Sequence, residues 1–384
     1  MTCSTDKSKL SDESDEEKEE TFFLPLTNIN NYILIEKLGE GTFAEVWLCY
    51  DKEKKIFVAC KFQKSTSDND SFKEEFELMK KIGNTITVDA ICLDTYFTSD
   101  GEIINSLTED AKETNFIVME LAGVTLENLM NVSSHKFDGN IERVKTVMRQ
   151  ILELVAKLHD QKIVHTDLKP ENILCDINYE YINNLKNIDE KDLDIVNIVA
   201  ISDSCDKKKI EKKKNISKIK LSDFGNSLSF DELGYEIQTK NYRAPEIILE
   251  YKVNEKCDIW SLGCLMYEMI TGEILFSGKK TKKYSSNVDY LAQMIKKLGV
   301  MPEIMIEKSA KGKVMFSNEK ILNIKKKLYY EPLYVDIYEA INKNKKKSSS
   351  HDVIYLLDVL YKMLDMNPDK RLSAKECLSH NFFS

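Results

Sequence analysis

Short apolar runs dominate the chain between about residue 32 and residue 120. They are rich in valine, isoleucine and aromatic residues and are bounded by turn-forming residues, a pattern that predicts β-strands. The predicted strands cover residues 32–35, 46–50, 56–61 and 115–120. In the same region Phe72, Phe76 and Met79 recur at helical spacing, which predicts a helix over residues 71–82.

The pattern changes after Gly123. Longer stretches with helical spacing follow, beginning with residues 141–160, and they continue through most of the remaining chain. A smaller β-rich part therefore precedes a larger helical part. We predict an α+β fold with two lobes, an N-terminal lobe over residues 32–123 and a C-terminal lobe over residues 124–384.

Three polar segments stand apart from these patterns. Residues 1–21 are acidic and lack aromatic residues, so we predict a disordered leader there. Residues 176–217, called the spacer below, are rich in Asn, Asp and Lys, show little periodicity and end in lysine clusters at 207–214. A segment of this kind buries little apolar surface, so we predict an insertion within the C-terminal lobe. Residues 341–350 are rich in Lys, Asn and Ser, so we predict a second, shorter flexible loop there.

Composition and charge narrow the possible environments. A formal net charge of −9 over 384 residues argues against wholesale nucleic-acid binding. The sequence contains no run of eighteen apolar residues, so we expect no transmembrane helix. The nine cysteines form no C-x-x-C pair, and the N-terminal residues lack an apolar secretory signal. We therefore expect reduced thiols, a location in the cytoplasm and nucleus, and a monomer that binds neither nucleic acid nor membrane directly.

The first motif with chemical meaning contains two glycines between predicted strands. Glycine allows a backbone to lie close over phosphate groups, where a side chain would collide. Because a strand follows rather than a helix, the motif differs from a dinucleotide-binding turn. The residues expected to contact a nucleotide here are Leu38, Gly39, Glu40, Gly41, Thr42, Phe43, Ala44, Glu45 and Val46.

A lysine at the end of the next strand fits the same chemistry. Lys61 closes the run Val58-Ala59-Cys60-Lys61 and could neutralise nucleotide phosphates if a carboxylate held it in place. Glu75, on the predicted helix, is the preferred partner. Glu74 and Glu77 are rivals that the sequence leaves open.

The most informative motif is the run from His165 to Asn172, His-Thr-Asp-Leu-Lys-Pro-Glu-Asn. The carboxylate of Asp167 can orient a substrate hydroxyl and accept its proton. Asn172 can ligate Mg²⁺, and Lys169 can reach the phosphate that is transferred. An eight-residue match of this kind is improbable by chance, so the run predicts phosphoryl transfer to a hydroxyl group.

A further motif follows the spacer. Asp223 begins Asp-Phe-Gly and would chelate the Mg²⁺ that bridges the β- and γ-phosphates of ATP. Ala-Pro-Glu then ends at Glu246, for which we predict a structural ion pair with Arg371. Asp258 is predicted to brace the catalytic loop from a buried helix.

Taken in order, these motifs resemble those of eukaryotic protein kinases over residues 32–384. Arg243 beside Ala-Pro-Glu places the resemblance in the CMGC group, and Lys169 implies serine or threonine as the acceptor. The chain is most similar to the SR-protein kinases, which phosphorylate serine in arginine/serine-rich splicing factors. That closer resemblance rests on residues 46–51, Thr166, the spacer, residues 236–243 and the insert at residues 284–299 and 311–338.

The chain also departs from the SR-protein kinases. Glu40 stands where that family has tryptophan, Phe224 where it has leucine, and residues 262–264 differ from its Thr-Ala-Cys. The related LAMMER-type kinases, which have dual specificity, share much of the catalytic run, but residues 289–296 replace their namesake motif. They remain the alternative. A pseudokinase scaffold is a third possibility, disfavoured because the catalytic residues are all present.

The resemblance implies an ATP site. ATP and Mg²⁺ are the expected cofactors, with Met119 as the gatekeeper residue and Glu120 to Ala122 as the hinge that hydrogen-bonds the adenine. The residues expected to contact the two faces of the base are Val46, Ala59 and Leu174.

The resemblance also bears on regulation and substrates. Thr166 replaces the arginine that receives an activation-loop phosphate in many kinases, so we expect activity without that phosphorylation. Arginine/serine-rich protein substrates would need acidic partners, which Glu273 and Asp289 could supply in part. Nearby lysines would oppose this: Lys279, Lys280, Lys282, Lys283, Lys296 and Lys297.

Overall fold

The structure is a computed structural model. It describes residues 23–41, 43–64, 69–99, 102–104, 111–132, 137, 140–176, 218–280, 285–324, 327–343 and 349–384. The predicted acidic leader, Thr42 and nearly all of the spacer therefore lie outside the described residues.

The N-terminal part is an antiparallel sheet with one long helix. Its strands are β1 (Asn28–Ile29), β2 (Tyr32–Glu40), β3 (Ala44–Asp51), β4 (Ile56–Gln63), β5 (Ala90–Ser99), β6 (Glu102–Ile104) and β7 (Lys112–Glu120), paired in the order β1-β2-β3-β4-β7-β5-β6. Helix α1 (Asn69–Ile82) follows β4. The four predicted strands and the predicted helix all occur. Strand β5 was not predicted, because only three of its ten residues are fully buried and its alternation is weak.

The two faces of this sheet have different roles, because successive side chains of a strand point to opposite faces. Trp47 and Cys60 belong to an apolar cluster on one face. Ala59 lies on the other face, in the main core that continues into the helical part. Lys61, two residues beyond Ala59, points to this second face as well, so the sheet directs its ammonium toward the rest of the chain.

The C-terminal part is mainly helical. Its elements are β8 (Val124–Thr125), α2 (Leu126–Val132), α3 (Ile141–Asp160), β9 (Ile163–Val164), β10 (Ile173–Asp176), β11 (Lys218–Leu221), β12 (Leu228–Ser229), α4 (Pro245–Leu249), α5 (Cys257–Thr271), α6 (Ser286–Leu298), α7 (Glu303–Lys308), α8 (Gly312–Met315), α9 (Leu333–Lys343), α10 (Ser350–Met363) and α11 (Ala374–Leu378). Small strand pairs link β8 to β10 to β11 and β9 to β12.

Two helices organise this part. Helix α3 occupies the predicted residues 141–160, and the side chain of Asn140 caps it by accepting a hydrogen bond from the backbone N–H of Arg143 at 3.3 Å. Helix α5 is buried nearly all round, as expected for a helix in the centre of a core. The chain thus has the predicted α+β architecture with a β-rich and a helical lobe. No helix among the described residues is long and apolar enough to span a membrane.

Candidate active site

Lys61 lies at the centre of a cluster of opposite charges. Its Nζ is 2.7 and 2.8 Å from the two carboxylate oxygens of Glu75 on α1 and 2.8 Å from Oδ1 of Asp223. Glu74 and Glu77, the rival partners, are exposed. The helical spacing explains the choice, because Glu75 shares the buried face of α1 with Phe72.

These charges shift one another's protonation. Burial by itself lowers the pKa of the Lys61 ammonium, but the carboxylates of Glu75 and Asp223 outweigh burial and raise it above its usual range. In turn the ammonium of Lys61 holds the pKa of Asp223 below its usual range, against the opposing effect of burial. Lys61 and Asp223 are therefore both charged at neutral pH.

Asp167 accepts hydrogen bonds at both carboxylate oxygens. Oδ2 accepts from Nζ of Lys169 at 2.8 Å and from the side-chain amide of Asn172 at 3.2 Å. Oδ1 accepts from the backbone N–H and the hydroxyl of Thr239 at 3.0 and 2.6 Å. Lys169 also donates to the Thr239 hydroxyl at 3.1 Å. The catalytic run and the later activation segment, residues 223–246, thus meet at one carboxylate.

The loop that carries Asp167 is fixed from below by a buried carboxylate. Asp258 on α5 accepts hydrogen bonds from the backbone N–H of His165 at 2.9 Å and of Thr166 at 3.0 Å. His159 Nε2 lies 2.9 Å from the same carboxylate. Asp258 is fully buried, so these partners compensate its lost hydration. This is the bracing role predicted for Asp258.

Thr166 ties the loop to the activation segment. Its φ of +66° is rare for a β-branched residue, and its hydroxyl donates to the carbonyl of Asn226 at 2.7 Å. Ser227 returns a hydrogen bond from its hydroxyl to the carbonyl of His165 at 3.2 Å. Strand β12 then pairs with β9 directly beyond these two bonds. The start of the activation segment is therefore held by hydroxyl groups and backbone pairing.

Gln238 fixes the far end of that segment. Its φ is +68°, and its side-chain amide donates to the carbonyl of Cys257 and the hydroxyl of Ser261, each at 2.9 Å. Its amide oxygen accepts from the backbone N–H of Ala244 at 2.8 Å. The guanidinium of Arg243 donates to the backbone carbonyl of Gln238 at 2.7 and 3.1 Å.

A buried ion pair anchors the end of the activation segment. Glu246 and Arg371 have no solvent exposure and form the predicted pair, with N–O distances of 2.6 and 2.8 Å. Arg371 also donates to the carbonyls of Lys256 at 3.0 Å and Asp365 at 2.9 Å. The bidentate geometry and these further acceptors satisfy most of the buried guanidinium.

The glycine-containing loop connects β2 to β3. The backbone N–H of Gly41 donates to the carbonyl of Ala44 at 2.8 Å, and the side chains of Leu38 and Phe43 are exposed. Glu45 belongs to the opposite face of the sheet, where its buried carboxylate accepts from the indole N–H of Trp47 at 3.0 Å. Only the backbone of Glu45 is therefore open to a role in nucleotide binding.

The apolar residues predicted to surround adenine belong to the main core or pack against it. Ala59 and Met119 are paired across β4 and β7, and Val46 and Leu174 pack against the same core. Glu120 follows Met119, and its carboxylate accepts from the backbone N–H of Asp89 at 2.8 Å and contacts the ammonium of Lys220. Ala122 is partly buried beyond it.

Several contacts at this site were not predicted from the sequence. Gln238 and Thr239 lie in residues 236–243, which carried the resemblance but no predicted contact, and His159 lies in the predicted helix 141–160; the partners of all three lie far away along the chain. Thr239 and Asp167, for example, are separated by 72 positions. A pattern search reads neighbouring residues, so no local signal marked these three.

Comparison with known proteins identifies this arrangement. Residues 32–383 match the family model described as the protein kinase domain. The chain belongs to the protein kinase family. The predicted two-lobed kinase fold is thereby confirmed.

Known kinases resemble the chain over nearly its whole length. Serine/threonine-protein kinase AFC3 of Arabidopsis thaliana is 30% identical over 363 residues, which cover 92% of this chain and 82% of that protein. Serine/threonine-protein kinase SRPK of Physarum polycephalum is 29% identical over 385 residues, with 92% and 86% covered. Dual specificity protein kinase CLK2 of Mus musculus is 28% identical over 365 residues, with 92% and 64% covered.

These relatives confirm the CMGC resemblance. The kinase is a serine/threonine enzyme of the kind represented by AFC, SRPK and CLK. The identities to SRPK and to the dual-specificity kinase are nearly equal, so they favour neither subfamily.

Proposed function

We propose that this kinase transfers the γ-phosphate of ATP to serine in arginine/serine-rich proteins of the splicing-factor type, and that it is active without phosphorylation of its activation segment. The observation that carries the proposal is the meeting of Lys169, Asn172 and Thr239 at the carboxylate of Asp167. The ion-paired Lys61 supplies the positive charge that neutralises the phosphates of a nucleoside triphosphate.

In the proposed reaction Asp167 orients the substrate hydroxyl and accepts its proton. The hydroxyl oxygen forms a bond to the γ-phosphorus while the bond from that phosphorus to the β–γ bridging oxygen breaks, leaving ADP. Lys169 stays protonated near the transferred group: burial lowers the pKa of its ammonium, but Asp167 outweighs burial and raises it. The hydroxyl of Thr239 occupies one oxygen of Asp167 and limits the directions from which a substrate can approach.

The metal-binding residues fit Mg²⁺ that arrives with ATP. The side-chain nitrogen of Asn172 is used by Asp167, so its amide oxygen is the atom suited to a cation, and Asp223 offers a carboxylate. No group of three or more His, Cys, Asp or Glu suited to a metal occurs in the described part of the chain. Mg²⁺ sites built from one or two protein ligands plus phosphates have this character. When bound, Mg²⁺ would neutralise charge on the phosphates.

The remaining ATP contacts follow from the positions of the predicted residues. Ala59 and Val46 would cover one face of the adenine and Leu174 the other, with the backbone of Glu120 to Ala122 hydrogen-bonding its edge. The loop from Leu38 to Val46 would cover the phosphates. Apolar walls with a few polar backbone groups are typical of nucleotide pockets.

Independence from activation-segment phosphorylation is supported by the contacts that already hold the segment. Thr166 to Asn226, Ser227 to His165 and the side chain of Gln238 use hydroxyl, amide and backbone groups. None of these bonds needs a phosphate. An arginine that would receive one is absent, because Thr166 stands in its place.

Two acidic residues next to the catalytic loop support a preference for basic substrates. Burial raises the pKa of Glu171; a backbone hydrogen bond opposes this rise, and repulsion from the carboxylate of Glu127 adds to it. Two carboxylates that repel each other beside Asp167 favour a cation, and a guanidinium pairs well with carboxylates.

Asp289 and Glu273, the acidic residues predicted to contact an arginine-rich substrate, support this preference less strongly. The carboxylate of Asp289 accepts from the backbone N–H of Lys279 at 3.0 Å and from the amide of Gln293 at 2.9 Å, while Glu273 is exposed. Two of the opposing lysines have acidic partners: Lys296 pairs with Glu331 and Lys297 with Asp336. Lys282 and Lys283 lie outside the described residues.

We further propose that the kinase is a monomer of the cytoplasm and nucleus that binds neither nucleic acid nor membrane directly. The described cysteines, such as Cys49 and Cys60, are free thiols, which suits a reducing compartment. Light scattering of the purified protein tests the monomer, and a stable dimer would contradict it. Fractionation of cells tests the location, and a secreted form would contradict it.

A phosphotransfer assay tests the central proposal. Protein made in bacteria and treated with phosphatase should transfer ³²P from ATP to an Arg-Ser repeat peptide, and Asp167→Ala should reduce the rate by about 100-fold or more. Asp231→Ala, an exposed aspartate of the same segment, serves as the control and should match the unchanged kinase. Equal signal from Asp167→Ala would mean either that a contaminating kinase supplies the label or that Asp167 is not needed for transfer, and both results contradict the proposal.

Two further arms address the substrate and the switch. An acidic casein-like peptide should be a poorer substrate than the Arg-Ser repeat, and a preference for the acidic peptide would refute the substrate proposal. The dual-specificity alternative, which the similarity to CLK2 supports, predicts equal labelling of a peptide with tyrosine in place of serine. A large loss of activity on phosphatase treatment would contradict phosphorylation-independent activity.

A further inference from the structure

An unusual carboxylate lies between the two glycines of the loop that connects β2 and β3. Glu40 is the last residue of β2, opposite Glu45 at the start of β3. Its carboxylate bridges two lysines from different parts of the sheet: Oε2 is 2.9 Å from Nζ of Lys37, and Oε1 is 2.9 Å from Nζ of Lys64. Lys64 directly follows β4, so the bridge crosses the ends of three strands.

The bridge continues into a buried group. The ammonium of Lys37 is also 3.0 Å from Oε1 of Glu45, whose other oxygen accepts from the indole N–H of Trp47 at 3.0 Å. The backbone N–H of Lys64 donates to the carbonyl of Phe43 at 2.9 Å, so the tip of the loop is attached to the same lysine. The chain of contacts therefore links the buried Glu45 to the exposed tip of the loop at Phe43.

Charge explains why the bridge matters to ATP. A free carboxylate between the loop glycines would repel the phosphates that this loop is proposed to cover. The lysines compensate it: hydrogen bonds from Lys64 and then from Lys37 lower the pKa of Glu40 to about 2. The two lysines and the two glutamates sum to no net charge.

We propose that the bridge from Lys37 through Glu40 to Lys64 is an ionic latch that holds the glycine-containing loop over the ATP phosphates. Glu40 is then a positioning residue for nucleotide binding. Loop order that exists before ATP binds does not have to be created on binding, which favours affinity. The latch deepens the proposed function, because it has a role only in a chain that binds ATP.

The test compares Glu40→Gln, Lys64→Gln and the double variant with the unchanged kinase. Exposed ion pairs contribute modestly, so each single change should raise the KM for ATP, and the dissociation constant of Mg-ATP measured by calorimetry, by roughly two- to five-fold. The kcat and the KM for the peptide should stay within about two-fold, because the latch does not touch the transferred group. The double variant should not exceed the larger single effect, since both changes break one bridge.

Glu53→Gln is the matched control. Glu53 lies at the opposite end of the same strands, is exposed and accepts one hydrogen bond from Asn31 at 3.2 Å. It should leave ATP binding unchanged. In about 0.5 M KCl the difference between Glu40→Gln and the unchanged kinase should shrink toward none, because salt screens exposed charges.

Unchanged ATP affinity in both single variants would overturn the latch, as would effects that multiply in the double variant or persist in high salt. In each of these cases the kinase without substitutions would still bind ATP and transfer phosphate. Failure of the proposed function looks different, because the unchanged chain would then neither bind Mg-ATP nor label a peptide.

Discussion

Replacing Thr166 by valine removes one hydrogen bond and little else. The hydroxyl of Thr166 donates to the carbonyl of Asn226 at 2.7 Å, and the side chain is fully buried. Valine has nearly the same shape and is also β-branched, so the cost of the positive φ is unchanged. Asn226 is an exposed residue, so water can replace the lost donor, and the change should cost about 0.5–1.5 kcal/mol, the usual net contribution of one hydrogen bond.

That free energy acts on the contact between the catalytic loop and the activation segment. If the ordered segment is needed for transfer, a penalty of about 0.5–1.5 kcal/mol corresponds to a loss of roughly 2- to 13-fold in kcat/KM for the peptide, because about 1.4 kcal/mol changes a rate tenfold. The KM for ATP should change less, since Asn226 lies outside the residues expected to contact the nucleotide.

The assay uses phosphatase-treated protein and an Arg-Ser repeat peptide. Thr166→Ser keeps the hydroxyl and should retain most of the activity, whereas Thr166→Val should not. Thermal unfolding of both variants shows whether a loss reflects a folded but poorly ordered enzyme. If Thr166→Val is as active as Thr166→Ser, the hydroxyl bond to Asn226 does not order the segment and the reasoning is wrong.

Four other predictions concern stability and pH. Asp258→Asn should lower the free energy of unfolding in urea by about 2–4 kcal/mol, because an amide replaces an acceptor of buried N–H groups, and no loss would contradict its bracing role. Arg371→Met leaves Glu246 buried without its partner and should cost about 3–5 kcal/mol, seen as a lower melting temperature. The lowered pKa of Asp223 stabilises the fold at neutral pH, and this contribution is lost as the pH falls through the folded-state pKa, so Asp223→Asn should flatten the acid limb of stability against pH. The raised pKa of Lys61 acts oppositely: its contribution is complete below the usual lysine range and is lost only as the pH rises through the folded-state pKa, so Lys61→Met should flatten the alkaline limb, and unaltered limbs would contradict both assignments.

Local patterns were enough to predict much of the fold. Helix α3 occupies the predicted residues 141–160 because its apolar face and its cap at Asn140 are continuous in sequence. Strand β5 was missed because it carries Asp94 and several half-buried residues, so its burial depends on neighbouring strands rather than on its own alternation.

In the candidate site, too, residues in local motifs were predicted and residues held by long-range contacts were not. Lys61, Asp167 and Asp223 stand in motifs that a sequence displays directly, and in the structure Lys61 pairs with Asp223 while Lys169 pairs with Asp167. Thr239 and Gln238 reach the site only because the activation segment folds back over the catalytic loop, so their contacts are long-range. Glu75 was the preferred partner of Lys61 from the sequence, but Glu74 and Glu77 stayed open until the structure placed Glu75 on the buried face of α1.

Left-handed backbone conformations surround the proposed catalytic base. Thr166, Asp223 and Gln238 all have φ near +65°, a region that asparagine and glycine tolerate better than threonine or glutamine. Thr166 and Gln238 are nevertheless used for the hydrogen bonds of their side chains. Asparagine or glycine at positions 166 and 238 would relieve the backbone but would remove the hydrogen bonds that these buried side chains make. A search for heat-resistant variants of this kinase should therefore leave both positions unchanged, although their backbone conformations alone would mark them for replacement.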